Sequence, residues 1–136
     1  MKRVFAVLLA LLPCSAFAAS AIVHDADNGA YGYSFEQPNV STAARNAITH
    51  CANRSRNCTH LATHGKTGYS ALAVGTKAVG YALGKENDIV ARDEAIAMCQ
   101  IKASDCVLKL LWRESGTSPS ITTMPPMPPP PYQPIH

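Results

Sequence analysis

The alternation of apolar and polar positions divides the middle of the chain into two similar series of elements. Ala21-Ile22-Val23-His24 reads as a short strand, Asp25 to Gly29 as a turn with Asn28-Gly29 suited to positive φ, and Tyr31-Gly32-Tyr33-Ser34-Phe35 as the hairpin partner, large and small residues alternating. Past the break at Pro38-Asn39, Val40, Ala43, Ala44, Ala47, Ile48 and Cys51 recur at intervals of three and four, the helical period, with Ser41 or Thr42 as the cap. Small alanines on that stripe let the helix lie close to a sheet. Cys58 to Thr63 is the next strand, and Gly65-Lys66-Thr67-Gly68 turns the chain.

The same succession then recurs. Tyr69 to Val74 reads as a strand, Gly75-Thr76-Lys77 as a turn and Val79 to Leu83 as the hairpin partner. Asn87 or Asp88 caps a helix from about Ile89 to Ala103, with Asp93 and Glu94 near its start, where the helix dipole favours acids. Cys106 to Trp112 closes the series, with Leu108, Leu110 and Trp112 assigned to one face. Displacing the sequence by 48 residues without a gap superposes Ala30, Gly32, Tyr33 and Asn39 on Ala78, Gly80, Tyr81 and Asn87, and Ala43, Ala47, Ile48, Cys51 and Cys58 on Ala91, Ala95, Ile96, Cys99 and Cys106. Such self-similarity marks an internal repeat. The fold class expected is α+β: duplicated ββαβ units, about 21–66 and 69–114, forming a mainly antiparallel sheet of about six strands with two helices on one face.

Both ends depart from this pattern. Met1-Lys2-Arg3, an apolar run from Val4 to Leu12 and the Ala16-Phe17-Ala18 site describe a signal peptide over residues 1–18, cleaved near Ala18. The run is shorter than the roughly 20 residues that span a bilayer, so no transmembrane segment is expected after its removal. Proline directly before Cys14, with the cleavage site just behind it, argues against a lipid-modified N-terminus at that cysteine. Pro13 and Pro38 apart, every proline falls between Pro119 and Pro134, and residues 115–136 read as an extended, disordered proline-rich tail. Residues 19–114 are left as one small domain.

Removing the leader also removes most of the basic excess, since Lys2 and Arg3 go and ten basic residues then face nine acidic ones. A nucleic-acid partner would call for a concentrated basic face with stacking aromatics, and none is visible. Four cysteines remain, an even number in an exported chain, which reads as disulfides. Of three pairings open to four cysteines, duplicated units select duplicated bonds: Cys51–Cys58 and Cys99–Cys106. A redox pair would favour Cys-x-x-Cys at a helix N-terminus, whereas Cys51 and Cys99 fall at helix C-termini, where a thiolate is disfavoured.

These residues resemble a known family, catalogued as domain of unknown function 4189. The likeness lies in Gly32-Tyr33 and Gly80-Tyr81, in the two Ala-x-x-x-Ala-Ile-x-x-Cys helices, and in Ser70-Ala71-Leu72-Ala73-Val74-Gly75 as a central strand, over about Ala21 to Trp112. The resemblance implies an exported bacterial protein. The resemblance also implies, for many members, further cysteines near the central strand and after the closing tryptophan, where this chain has Ser70 and Glu114, so the third bridge those cysteines would form is not expected here. No activity and no functional residue carry over.

Four of the five histidines lie between His24 and His64. His60 and His64 on one strand would be roughly 13 Å apart, too far to share a metal at about 2 Å from each, and His50 lies on the helix, so no metal site and no cofactor are expected. Ser70, His24 and Asp25 supply the residue types of a nucleophilic triad, but no Gly-x-Ser-x-Gly elbow frames a serine. Asn53-Arg54-Ser55 and Asn57-Cys58-Thr59 match the glycosylation pattern, which a bacterial leader makes incidental. The proline-rich tail reads as a spacer, with docking into an aromatic groove as the other use of such a segment. The loop from Ala52 to Asn57 is the candidate interaction site, because a bridged loop gives up little entropy on binding and Arg54 and Arg56 can fork onto carboxylate or phosphate. Its counterpart, Gln100 to Asp105, is nearly neutral. The expectation is a periplasmic or secreted, non-catalytic binding module of unknown partner, for which another exported or envelope protein is a candidate and an inhibitor or immunity-type role is one that fits without being demanded by the residues. The alternative is a small secreted hydrolase.

Overall fold

The computed structural model describes residues 18–115. The proposed leader, apart from Ala18, and the proline-rich segment lie outside the described residues. The elements are β1 (Ala19–His24), β2 (Tyr31–Gln37), α1 (Val40–Ala52), β3 (His60–His64), β4 (Gly68–Gly75), β5 (Ala78–Lys85), α2 (Asp88–Gln100) and β6 (Val107–Glu114). The ββαβ order is present twice and the α+β class is as expected.

The sheet differs from the expectation. There are two antiparallel three-stranded sheets, ordered β2-β1-β3 and β5-β4-β6, and not one sheet of six strands. Nor do the helices share a face. Ala19, Ala21 and Val23 pack with Ala43, Ala47 and Cys51 of α1; Ala71, Ala73, Ala78 and Ala82 pack with Ala91, Ala95 and Cys99 of α2. The opposite faces meet each other, burying Ile22, Tyr33, Leu72 and Val79, with Phe35, Leu110 and Trp112 partly buried around them. The layers therefore run α1, first sheet, second sheet, α2. Side-chain size explains the order. The hairpin strands send mostly alanine, glycine and serine toward their helix, Val23 being the larger exception, and larger residues such as Ile22, Tyr33, Leu72 and Val79 away from it, and that second apolar face must also be covered.

Small residues set the helix distances. A Cβ on Gly32 would fall 2.1 Å from the Ala47 carbonyl oxygen, and one on Gly80 would fall 2.0 Å from that of Ala95. Only glycine fits at these two crossings. Asn39 caps α1, accepting from the Thr42 amide at 2.8 Å, so the cap lies two or three residues before Ser41 or Thr42. Asn87 caps α2 in the same way, as expected. The buried stripe of α1 is narrower than its periodicity suggested, since Val40 and Ile48 are exposed. On β6, the pairing slips between Leu110 opposite Leu72 and Leu108 opposite Ala73. That irregularity turns Leu108 toward α2, while Leu110 and Trp112 face the other sheet, so the three do not share a face.

Candidate functional site

Disulfides join Cys51 to Cys58 and Cys99 to Cys106, each with a Cα–Cα distance of 6.0 Å. Each ties the last turn of a helix to the approach of the following strand. A second tie connects each bridged loop to the hairpin of its own unit. In the first unit the Ser55 hydroxyl donates to the Asp25 carboxylate. In the second, the Thr76 hydroxyl and amide donate to Asp105. The bond joins the same two loops, yet the acid has moved from hairpin to hook. These hydroxyl contacts hold both carboxyl groups below the usual aspartate range.

The pairing registers locate a further asymmetry. Ala21 faces Ser34 as Ala71 faces Ala82, so β4 follows β1 by 50 residues while β5 follows β2 by 48. The first hairpin loop is longer by two residues. It is closed by the Asp25 amide on the Ala30 carbonyl, and its Gly29, at φ +75°, packs against the backbone of Lys77. Lys77 itself holds φ +52° in the tight second hairpin, an uncommon conformation for a residue with a side chain.

Within the first bridged loop, the Arg54 guanidinium lies 4.9 Å from the centre of the Tyr31 ring, a cation–π distance. Arg56 is exposed. The two candidate arginines therefore differ, one laid on an aromatic ring and one standing in solvent. Under the 48-residue displacement the second loop has Lys102 in the place of Arg54 and Ser104 in that of Arg56, with Ile101, 81% exposed, in the place of Asn53.

The other candidates scatter. His50 donates from Nδ1 to the Tyr33 carbonyl at 2.9 Å, a structural contact. His64 lies against Gly84. Ser70 is fully buried and accepts from the Gly84 amide, and Asp25 is engaged by Ser55 and by the Asp27 amide. Neither serves as a triad member in this arrangement. Among the described residues no group of three or more His, Cys, Asp or Glu side chains is placed to hold a metal ion, and no helix is long and apolar enough to cross a membrane.

What the sequence did not reveal is a cleft of about 250 Å³ where the two units meet. His24 and His60 sit opposite each other in the β1–β3 ladder, their ring centres 5.0 Å apart. Tyr81 packs beside His24 at 6.1 Å. Lys77 and Lys102 come from the second hairpin and the second hook, and Val79, Met98 and Ile101 supply an apolar wall. His24 is 8% exposed, and its Nδ1 is buried without a hydrogen-bond partner. Burial, with help from His60 and Lys102 and against Asp25, keeps its pKa below the ordinary histidine value. Periodicity places His24 on a strand but carries no information on which later strand pairs with it.

Comparison with known families matches residues 17–112 to the one described as Domain of unknown function (DUF4189). No curated protein and no solved structure gives a match. The matched stretch takes in both hairpins, both helices and both disulfide hooks, and on that ground the chain belongs to the DUF4189 family.

Proposed function

We propose that the chain is an exported, non-catalytic binding module that meets another envelope or secreted protein through the bridged loop of its first unit. The observation that carries this reading is the threefold restraint of that loop: the Cys51–Cys58 bond, the Ser55–Asp25 bond, and Arg54 lying on Tyr31. A loop ordered before binding loses little further entropy when it docks, and Arg54 and Arg56 offer planar donors to an acidic partner surface. The disulfides suit an oxidising compartment, in keeping with a leader cleaved near Ala18 and a periplasmic or secreted location. The two ββαβ units differ at this place, the first hook carrying two arginines and the second one lysine and one aspartate. An inhibitor or immunity-type role agrees with recognition by a small, rigid surface.

The test is partner capture from periplasmic extract by the tagged mature chain. Replacing Arg54 and Arg56 by glutamate is expected to abolish the capture while leaving circular dichroism unchanged. Equal capture by the double variant would refute the loop as the contact surface.

A further inference from the structure

The cleft between the two units has the chemistry of a ligand site that the arginine loop does not use. Two lysines line it, Lys77 at the hairpin turn and Lys102 in the second hook, and neither forms an ion pair with another described residue. The nearest acid is Asp25, whose two oxygens already accept from the Asp27 amide and the Ser55 hydroxyl. Lys102 makes one long contact, 3.4 Å to the Ala26 carbonyl, which leaves donors over. His24 is buried with an unpartnered ring nitrogen and faces His60, and an unsatisfied buried polar atom is costly unless something answers it. Tyr81 and Ile101 give the cleft an apolar side. Its volume is below that of typical drug-sized pockets, roughly 300–1,000 Å³, and suits a ligand of a few carbon atoms with a charged end. The lysines serve as point charges for an anion, and the apolar wall calls for a carbon body, which inorganic phosphate lacks.

We propose that this cleft binds a small carboxylate, either a free organic acid or the acidic side chain or C-terminus of a partner, through Lys77, Lys102 and an imidazole N–H of His24 or His60. The site goes beyond the arginine-loop reading and does not depend on it. Binding is coupled to pH. The charged and titratable groups facing His24 are His60 on β3, Tyr81 on β5, Lys77, Lys102 and Asp25. In the free protein His24 is held below its ordinary pKa by burial first, then by His60 and Lys102. An incoming carboxylate favours its charged form, so protons are taken up on binding and affinity rises as pH falls.

The experiment is titration of the full chain with butyrate, inorganic phosphate and a short peptide carrying one aspartate, followed by the imidazole NMR resonances of His24 and His60. Butyrate is expected to shift both resonances, more strongly as the pH is lowered. Lys77→Met and Lys102→Met, both at exposed positions, are each expected to weaken binding about three- to fivefold, whereas Arg54→Glu leaves it unchanged. Tighter binding of the peptide than of butyrate identifies a partner's acid as the source, and the reverse identifies a free acid. The proposal is overturned if butyrate at about 50 mM, enough to reveal even a weak millimolar site, leaves both resonances in place. It is also overturned if phosphate binds more tightly than butyrate, or if neither lysine variant weakens binding.

Discussion

Single residues decide how closely the layers approach. Gly32 and Gly80 occupy matching places under the last turns of α1 and α2, and the atoms a methyl group would strike are helix backbone, which cannot rotate aside. Gly80→Ala is therefore expected to cost about 3 kcal/mol, the upper end of overpacking effects, measured as the loss in urea unfolding free energy. Both glycines were visible in the sequence as the Gly-Tyr signature of each half, but the reason for them was not, because it lies in a helix some 15 residues further on. Buried titratable groups act at the same scale. His24 has a lowered pKa in the folded chain, so below the ordinary histidine value near 6.5 the unfolded state binds more protons and stability declines as pH falls. Glu114 is buried, accepts from Trp112 Nε1 at 3.1 Å and from the Glu36 amide at 3.2 Å, and has its pKa raised chiefly by desolvation. Its contribution has the opposite sign: it is fully present below the unfolded value near 4.5 and is lost as pH rises through the folded pKa. Unfolding free energy followed from pH 7 down to 4 is expected to lose its decline below pH 6.5 in His24→Phe, and to lose the opposing acid-side gain in Glu114→Gln.

At the scale of elements, the hooks and hairpins behave as coupled pairs. Each disulfide closes a loop of eight residues counting both cysteines, for which the chain-entropy relation gives about 2.5 kcal/mol. Serine replacement of Cys51 with Cys58, and of Cys99 with Cys106, is expected to cost about that much in either unit, since the two spans are equal. Unequal losses in denaturant titrations would show that the loops differ in more than their side chains. The hairpin-to-hook bonds add an acid dependence. Asp25 and Asp105 are held below the ordinary aspartate pKa, so their contribution is present above about pH 4, the unfolded value, and is lost as pH falls through the folded pKa. Amide exchange in the loops 52–57 and 101–105 is expected to accelerate on that acidification ahead of global unfolding. Elements were the most legible level in the sequence. Every strand and both helices emerged from period and turn chemistry, and the even cysteine count with its equal spacings pointed to the bridges that form. The Asn39 cap was missed because Ser41 and Thr42 are equally good caps in isolation, and only the backbone turning helical at Val40 distinguishes them. The interaction of Asp25 with Ser55 joins residues 30 apart, a distance at which no local pattern operates.

For the whole molecule the question is which surface each unit leaves for the other. In the folded chain β1 and β4 carry apolar residues on both faces, and one sheet with both helices on a single side would leave Tyr33, Phe35, Leu72 and Trp112 in water. Packing sheet against sheet removes them and makes the cleft, since His24 and His60 come from one unit and Lys77 and Lys102 from the other. Strand order was out of reach because either neighbour of a hairpin satisfies the same period-two pattern. A consequence follows for cooperativity. Neither unit has a complete core of its own: each helix covers one sheet face, and the other face is covered only by the partner unit. Leu72, fully buried at that junction, is expected to cost about 2–5 kcal/mol when replaced by alanine, and the variant is expected to unfold in one transition, with ultraviolet fluorescence of Trp112 and circular dichroism coinciding. A fragment of residues 69–114 would expose Leu72, Val79 and Leu83 together, a contiguous apolar patch that monomers seldom tolerate. It is expected to be unfolded or self-associated in analytical ultracentrifugation. A folded, monomeric fragment would mean that the two units are independent domains, and a cleft shared between them would then have no fixed geometry with which to select a ligand.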